Sequence, residues 1–202
     1  MQNIIRKETP SDFHEAEWIC QQAFYNEFIP GCAEHYLLHI LRKDHAYVEE
    51  LTRLALLDGR IVGGIYYSKA LIKNGEKETP VLCLGPVYVH PAHQGEGIGK
   101  ALIEATLLEA KKLPYPAVFL FGHPSYYPRF GFLDCRNYRI LTKDGMNFPA
   151  FMAYELHKGA LKGIEGRFVD SPIYEEATPE KGHDYDKNFP PLAKHAPKHP
   201  IG

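Results

Sequence analysis

VYVHPAHQGEGIGKAL, residues 87–102, is the stretch on which the fold turns. Val87, Tyr88 and Val89 read as the end of a strand, and the run from Ile98 onward reads as a helix. Between them Gly95, Gly97 and Gly99 stand at every second position. Glycine loses more backbone freedom on folding than any other residue, so three of them in five positions need a reason. A strand that enters a helix through a glycine turn supplies one. First-turn amides of a helix lack intrahelical acceptors, and the aligned peptide dipoles leave about +0.5 charge there. With no side chains in the way, a phosphate reaches those amides closely. On these residues alone a phosphate-binding turn and an ordinary flexible loop both stand.

Two well-known phosphate loops are excluded by position. A Walker A loop needs a glycine where Gln94 stands and a Ser or Thr where Ala101 stands. A G-x-G-x-x-G dinucleotide turn fails from Gly95, which ends on Lys100, and from Gly97, which ends on Leu102.

Outward from the turn, the downstream helix carries Ile98, Ala101, Ala105 and Leu108 on one face with Leu102 beside them, and Pro114 and Pro116 end it. Upstream, LTRLALLDGRIVGGIYYSKALI (51–72) is two β-rich runs around Asp58-Gly59, a tight hairpin signal. The polar turn KNGEKETP and the run VLCLGPVYVHP complete three successive antiparallel strands. Residues 10–50 read as two helical pieces, with Ser11 or Asp12 as N-cap, Glu15 closing the first turn, and a break at Pro30-Gly31. Beyond the glycine helix come a buried strand in AVFLFG, a short turn or helix at 125–129, and two strands in NYRILT and AFMAYEL. The domain closes near His157, giving a domain over 1–157 and an extension over 158–202.

Composition sets the class. The 202 residues are 45% hydrophobic and 24% charged, with a formal net charge of -2 and a pI near 6.6. That describes one ordinary globular domain plus a short appendage, without the basic stripe of a nucleic-acid binder. No apolar run approaches the ~18 residues of a membrane span, and the start lacks the apolar core of a secretory signal. Cys20, Cys32, Cys83 and Cys135 are far apart with no CxxC pair, which reads as four reduced thiols in a cytoplasmic protein. From residue 171 the chain is rich in proline and charge, a weakly structured composition in which Tyr174, Tyr185 and Phe189 are available as anchors.

Two motifs together resemble one family. Gln94-x-x-Gly97-x-Gly99 after VYVHP is similar to the cofactor loop of the GNAT N-acetyltransferases, and YYPRFGF (126–132) is similar to their Tyr-x-x-x-Gly-Phe ending, closest to a YY-x-RFGF subgroup. The order of elements over residues 3–157 also resembles that family. The resemblance implies an α/β (α+β) fold with a mixed, mostly antiparallel twisted sheet of about six to seven strands, splayed between the fourth and fifth. It implies acetyl-CoA as cosubstrate, no metal, and direct attack by a primary amine in a ternary complex. The pyrophosphate would lie on the main chain of Gln94, Gly95, Glu96, Gly97, Ile98, Gly99 and Lys100. The backbone of Val87, Tyr88 and Val89 would hold the acetyl carbonyl and the pantetheine arm. Tyr127 would protonate the departing thiolate, provided the site lowers its pKa. One departure stands out: Leu120 occupies a place where many relatives carry an Asn.

Glu27, Glu34, His90 and His123 flank these elements and read as surface or capping residues rather than bases. The acceptor is expected to be a small-molecule or peptide amine, with no nucleic-acid or membrane partner, and the tail allows a homodimer. A catalytically silent CoA-binding sensor or partner module carries the same loop, and thiol release on adding an amine separates the two.

Overall fold

The computed structural model describes residues 3–199. Its chain divides into two compact units, one made of residues 1–66, 86–102 and 172–202, the other of residues 67–85 and 103–171. The two longest strands, β3 (Arg60–Asn74) and β4 (Lys77–Val89), run through both units. The hydrogen-bonded order of the sheet is β1 (Asn3–Arg6), β2 (Arg53–Leu57), β3, β4, β5 (Ala117–Phe121), β8 (Phe151–Glu155) and β6 (Leu133–Asp134), with β9 (Gly166–Val169) joined to β3 and β7 (Ile140–Thr142) joined to β9. Among the described residues nine strands thus stand where about six to seven were expected. The additions are two- to four-residue pieces that carry too few alternating positions to be read from pattern.

In the first unit β1 (Asn3–Arg6) pairs antiparallel with β2 (Arg53–Leu57), and β2 pairs with β3. The turn between them places both Asp58 (φ 48°) and Gly59 (φ 83°) in the left-handed region, as a tight hairpin of the primed type requires. Helix α1 (Phe13–Phe24) begins at Asp12, one of the two predicted caps. Its carboxylate, however, turns back to accept from the Thr9 amide (2.8 Å), the Thr9 hydroxyl (2.7 Å) and Arg6 (2.7 Å). The Arg6 guanidinium holds this carboxyl well below the usual carboxylate range. Helix α2 (Glu34–Leu41) follows the Pro30-Gly31 break. Ile19 and Cys20 of α1, Leu38 and Leu41 of α2, Leu54, Tyr66 and Tyr88 form one buried cluster.

The expected weakly structured extension carries regular elements. After β9 (Gly166–Val169) come α4 (Ile173–Glu176) and α5 (Pro179–Tyr185), the second capped by the Thr178 hydroxyl on the Lys181 amide. Ile173 joins the core cluster, and Phe189 is buried. Asp186 accepts from Gln21 Nε2 at 2.7 Å and stands 3.1 Å from Nε2 of the buried His35, close enough for an ion pair though not aligned as a hydrogen bond. Long-range pairing with α1 and α2 compensates for the tail's poverty in aliphatic residues.

In the second unit β5 (Ala117–Phe121) lies antiparallel to β8 (Phe151–Glu155) over five residue pairs and parallel to β4 at Leu82 and Cys83. β9 also pairs in parallel with β7 (Ile140–Thr142), so NYRILT yields a shorter strand than predicted, preceded by a 3₁₀ turn at Cys135–Tyr138. The rings of Phe119, Phe151 and Phe168 stack at 5.1–6.0 Å and fill this core. Helix α3 (Ile98–Ala110) buries Leu102, Ile103, Thr106, Leu107 and Ala110. The predicted face was rotated: Ala101 is exposed and Leu108 is 61% exposed. The buried face carries Ile103 and Leu107 instead, and with them Thr106, whose hydroxyl meets the Tyr67 hydroxyl at 2.8 Å.

Candidate active site

The glycine turn lies in the first unit. Strand β4 ends at Val89, a 3₁₀ turn covers Pro91–His93, and α3 begins at Ile98. Gly95 and Gly97 have φ of 83° and 85°, where any residue with a Cβ is strained. A Cβ built on either would meet nothing within 4 Å, so the space over both is open. The Gly97 carbonyl accepts from the Ala101 amide at 3.0 Å, making Gly97 the N-cap of α3. Gly99 is already in the first helical turn. The exposed Gln94 donates through Nε2 to the Val89 carbonyl at 3.1 Å, which ties the turn to the strand end. Glu96 lies 3.3 Å from Nδ1 of His93. The result is an open glycine saddle on the positive end of a thirteen-residue helix, a place for an anion.

Val87 and Val89 are half-buried and Tyr88 is buried between them. The Tyr88 ring stacks on Tyr66 at 6.2 Å and packs over β3 where Gly64 stands. A Cβ at Gly64 would lie 2.6 Å from Tyr88 Cζ, and one at Gly63 would lie 2.7 Å from the Tyr88 carbonyl oxygen. The sequence reading passed over this glycine pair. A Gly-Gly step inside a strand is nevertheless a legible sign of close approach.

Tyr127 lies in the second unit and is described there. It opens a 3₁₀ turn, Tyr127–Phe130, that ends on Gly131 at φ 95°. Gly131 thus owes its place to a left-handed cap, and Phe132 owes its place to the core, where it is fully buried. The Tyr127 ring meets Tyr126 and Phe132 edge-on, with centroids at 5.2 and 5.7 Å. A Cβ at Gly122 would sit 2.2 Å from Tyr127 Cε2, so this glycine is the seat of the ring. Burial, with Tyr126 beside it, pushes the Tyr127 hydroxyl up to about 12. The condition set for the acid role, a lowered pKa, is not met by these surroundings. Among the described residues no charged side chain stabilises the phenolate, and burial with Tyr126 beside it favours the neutral form.

The residues read as surface or capping groups have structural partners. His90 accepts from the Ala92 amide and contacts Gln22, as a turn residue does. His123 takes the Ser125 hydroxyl at 2.9 Å. Glu27 is held by Lys198 at 3.0 Å, and Glu34 accepts from the Ala33 amide at 3.0 Å. Leu120 is buried opposite Met152, so its side chain presents only hydrocarbon. All four cysteines are free and buried. Among the described residues there is no group of three or more His, Cys, Asp or Glu placed to hold a metal ion, and no helix is long and apolar enough to cross a membrane.

Comparison with known proteins bears on the same elements. A family model described as an acetyltransferase (GNAT) domain matches residues 4–133. The uncharacterized N-acetyltransferase YjhQ of Escherichia coli strain K12 is 36% identical over 100 residues, which are 49% of this chain and 55% of that protein. The chain therefore spans about half the length of this curated relative. The fold is similar to that of the GNAT family N-acetyltransferase YhbS from Escherichia coli, solved in complex with CoA, with a TM-score of 0.77 at 23% identity over 87% of this chain and 93% of that one. It is also similar to a GNAT family acetyltransferase from Brucella melitensis in complex with acetyl-CoA, with a TM-score of 0.69 at 28% identity over 86% and 98%. The family match alone covers more than half of the 202 residues, and it includes the glycine turn and the Tyr127 segment: the chain belongs to the GNAT acetyltransferase family.

Proposed function

We propose that the chain is an acetyl-CoA-dependent N-acetyltransferase of the YY-x-RFGF kind, acting in the cytoplasm and transferring acetyl from the thioester to a primary amine by direct attack. The observation that carries this reading is the saddle at Gly95 and Gly97. Both glycines hold positive φ with open space where side chains would stand, at the start of α3. The main chain from Gln94 to Lys100 fits a pyrophosphate, because outward amides and the helix dipole both favour negative charge there. The CoA and acetyl-CoA complexes of similar GNAT structures support the same assignment.

When bound, acetyl-CoA supplies an activated acetyl thioester, and the chain's own groups do the rest. The Val87 and Val89 amides are the donors for the carbonyl oxygen, where charge develops as the amine attacks, and Tyr88 is locked between them by Gly63 and Gly64. As the N–C bond forms and the C–S bond breaks, Tyr127 gives its proton to the thiolate, the amine's proton leaves to solvent, and solvent returns one proton to the Tyr127 phenolate. With the hydroxyl at about 12 and a thiol near 8.5, transfer to the thiolate is uphill by roughly 5 kcal/mol, so it is drawn forward by the return of a proton from solvent to Tyr127. Tyr126 is the neighbouring ring and not the donor in this reading. A homodimer is part of the same proposal.

The test is a thiol-release screen of amines, polyamines, amino acids and peptide N-termini, run beside calorimetry with CoA. CoA uptake with thiol release on one amine class is the expected result. Uptake with silence across the panel favours a catalytically silent CoA-binding module, a reading that the upward shift of Tyr127 makes specific. Absence of CoA uptake ends both.

A further inference from the structure

The step from strand β4 to the glycine turn is set by one imidazole. The His90 amide donates to the Val62 carbonyl of β3 at 2.8 Å, and the 3₁₀ turn Pro91–His93 begins at the next residue. The first amides of such a turn have no acceptor within it. Pro91 carries no N–H, and the His93 amide reaches the His90 carbonyl at 2.8 Å. Ala92 is left, and its amide donates to Nδ1 of the His90 ring at 3.1 Å. His90 thus caps its own turn, in the role that Asn, Asp or Ser usually fills.

The hydrogens of that ring follow. A backbone amide only donates, so Nδ1 accepts and the proton of the neutral imidazole is on Nε2. Nε2 lies 3.2 Å from Oε1 of Gln22 on α1, a partner that accepts. One ring therefore joins α1 to the turn. A second proton would sit on Nδ1 and face the Ala92 amide, donor against donor. The turn held in this way leads straight to the saddle. Gln94 Nε2 returns to the Val89 carbonyl at 3.1 Å, and Glu96, between Gly95 and Gly97, stands 3.3 Å from His93 Nδ1.

Solvent reaches the half-buried ring through an open groove. The titratable and charged groups that share this groove are Glu15 of α1, Asp58 and Arg60 of the β2–β3 hairpin, and His93 of the turn itself. Burial, with the His93 ring 5.8 Å away, pulls the His90 pKa below its ordinary 6.5. The cap is therefore complete at pH 7.5 and is lost as pH falls below 6.5. The imidazolium so formed still points toward Gln22, and at a half-buried site its pull on a diphosphate is screened.

We propose that His90 is a positioning residue for coenzyme A: its neutral ring fixes the turn that presents the glycine saddle, and protonation of Nδ1 releases that turn. The inference rests on the acetyltransferase reading, which puts the diphosphate on this saddle.

Calorimetry with CoA on the full chain at pH 7.5 and 5.5 tests it in the wild type, His90→Asn and His90→Ala. Asn keeps an acceptor for the Ala92 amide and does not titrate. At pH 7.5 His90→Ala should bind CoA about fivefold more weakly, the usual worth of a cap, and His90→Asn should restore most of that loss. Between pH 7.5 and 5.5 the wild type should lose at least twofold more affinity than His90→Asn, since the phosphates of CoA titrate alike against both. Equal pH slopes, an alanine variant that binds like the wild type, or wild-type affinity that gains on His90→Asn in acid overturns the proposal. Where a variant folds poorly, NMR titration of the His90 ring in the wild type decides. Coupling between two sites is reciprocal, so saturation with CoA should move the His90 midpoint to lower pH, and an unmoved or raised midpoint overturns the proposal. CoA uptake without coupling to His90 sinks this inference alone, whereas absence of CoA uptake sinks the acetyltransferase reading and this inference together.

Discussion

Tyr127 owes its position to a residue with no side chain. A methyl group at Gly122 would sit 2.2 Å from the Tyr127 ring, a separation that real Cβ atoms do not reach, so the ring must turn. Gly122→Ala is therefore expected to lower thiol release by tenfold or more, since small displacements of a reacting group cost up to about a hundredfold. Its CoA affinity should stay within about twofold. Tyr127→Phe should lower turnover by roughly 10²- to 10⁴-fold, the usual worth of a positioned acid, again with CoA binding kept. An unchanged rate in Tyr127→Phe would remove the acid assignment. With its hydroxyl at about 12, Tyr127 stays protonated through the alkaline range, so turnover should show no fall by pH 10 from loss of this proton. At this scale the sequence was partly transparent. Gly131 and Phe132 stood in a motif and proved to be a left-handed cap and a core ring. The direction of the Tyr127 shift was not readable, because it depends on what surrounds the hydroxyl in space rather than along the chain.

For the turn as an element, Gly95 and Gly97 differ from Gly99 in what they ask of the backbone. At φ near 85° a side chain on Gly97 costs about 1–2 kcal/mol of strain and also stands in the open cradle. Gly97→Ala is expected to weaken CoA binding about tenfold or more by calorimetry and to lower the melting temperature. Gly99→Ala lies in the helix proper, where alanine is favoured over glycine by about 1 kcal/mol, so it should retain binding. Equal losses in the two variants would mean that the cradle is not shaped by left-handed glycine. The hairpin at Asp58-Gly59, the break at Pro30-Gly31 and the glycine turn itself were all legible, because each is set by local backbone chemistry. The buried face of α3 was not. Ala and Leu recur all around this helix, and the buried polar residue on its inner face, Thr106, has its partner Tyr67 39 residues away.

The interleaving of the whole chain decides its response to acid. Tail and N-terminal helices meet through pairs such as Tyr185 with Glu17 and Asp186 with Gln21, 168 and 165 residues apart, so neither period nor composition could announce them. At this seam His35 is fully buried between Cys32, Asp186 and the rings of Tyr185 and Phe189. Burial pulls its pKa down to about 4, against the pull of Asp186. The folded chain thus excludes a proton that the unfolded chain takes up near 6.5. Stability contributed by neutral His35 is complete above pH 6.5 and is lost progressively as pH falls from there toward 4. Asp12, depressed by Arg6, contributes stability that is complete above its unfolded value of 3.8 and is lost as pH falls below it, so the two windows do not overlap. The melting temperature should therefore fall between pH 6.5 and 4.5. A chain ending at residue 171 should melt lower at every pH and lose that slope, because without Asp186, Tyr185 and Phe189 the imidazole regains solvent. Hydrogen exchange in the truncated chain should rise across α1 and α2, which share a unit with the tail, while the β5–β8 ladder of the other unit keeps its protection. A full-length melting curve that is flat over those two pH units would show that the imidazole takes its proton without disturbing the seam, and the tail would then be held by its aromatic rings alone.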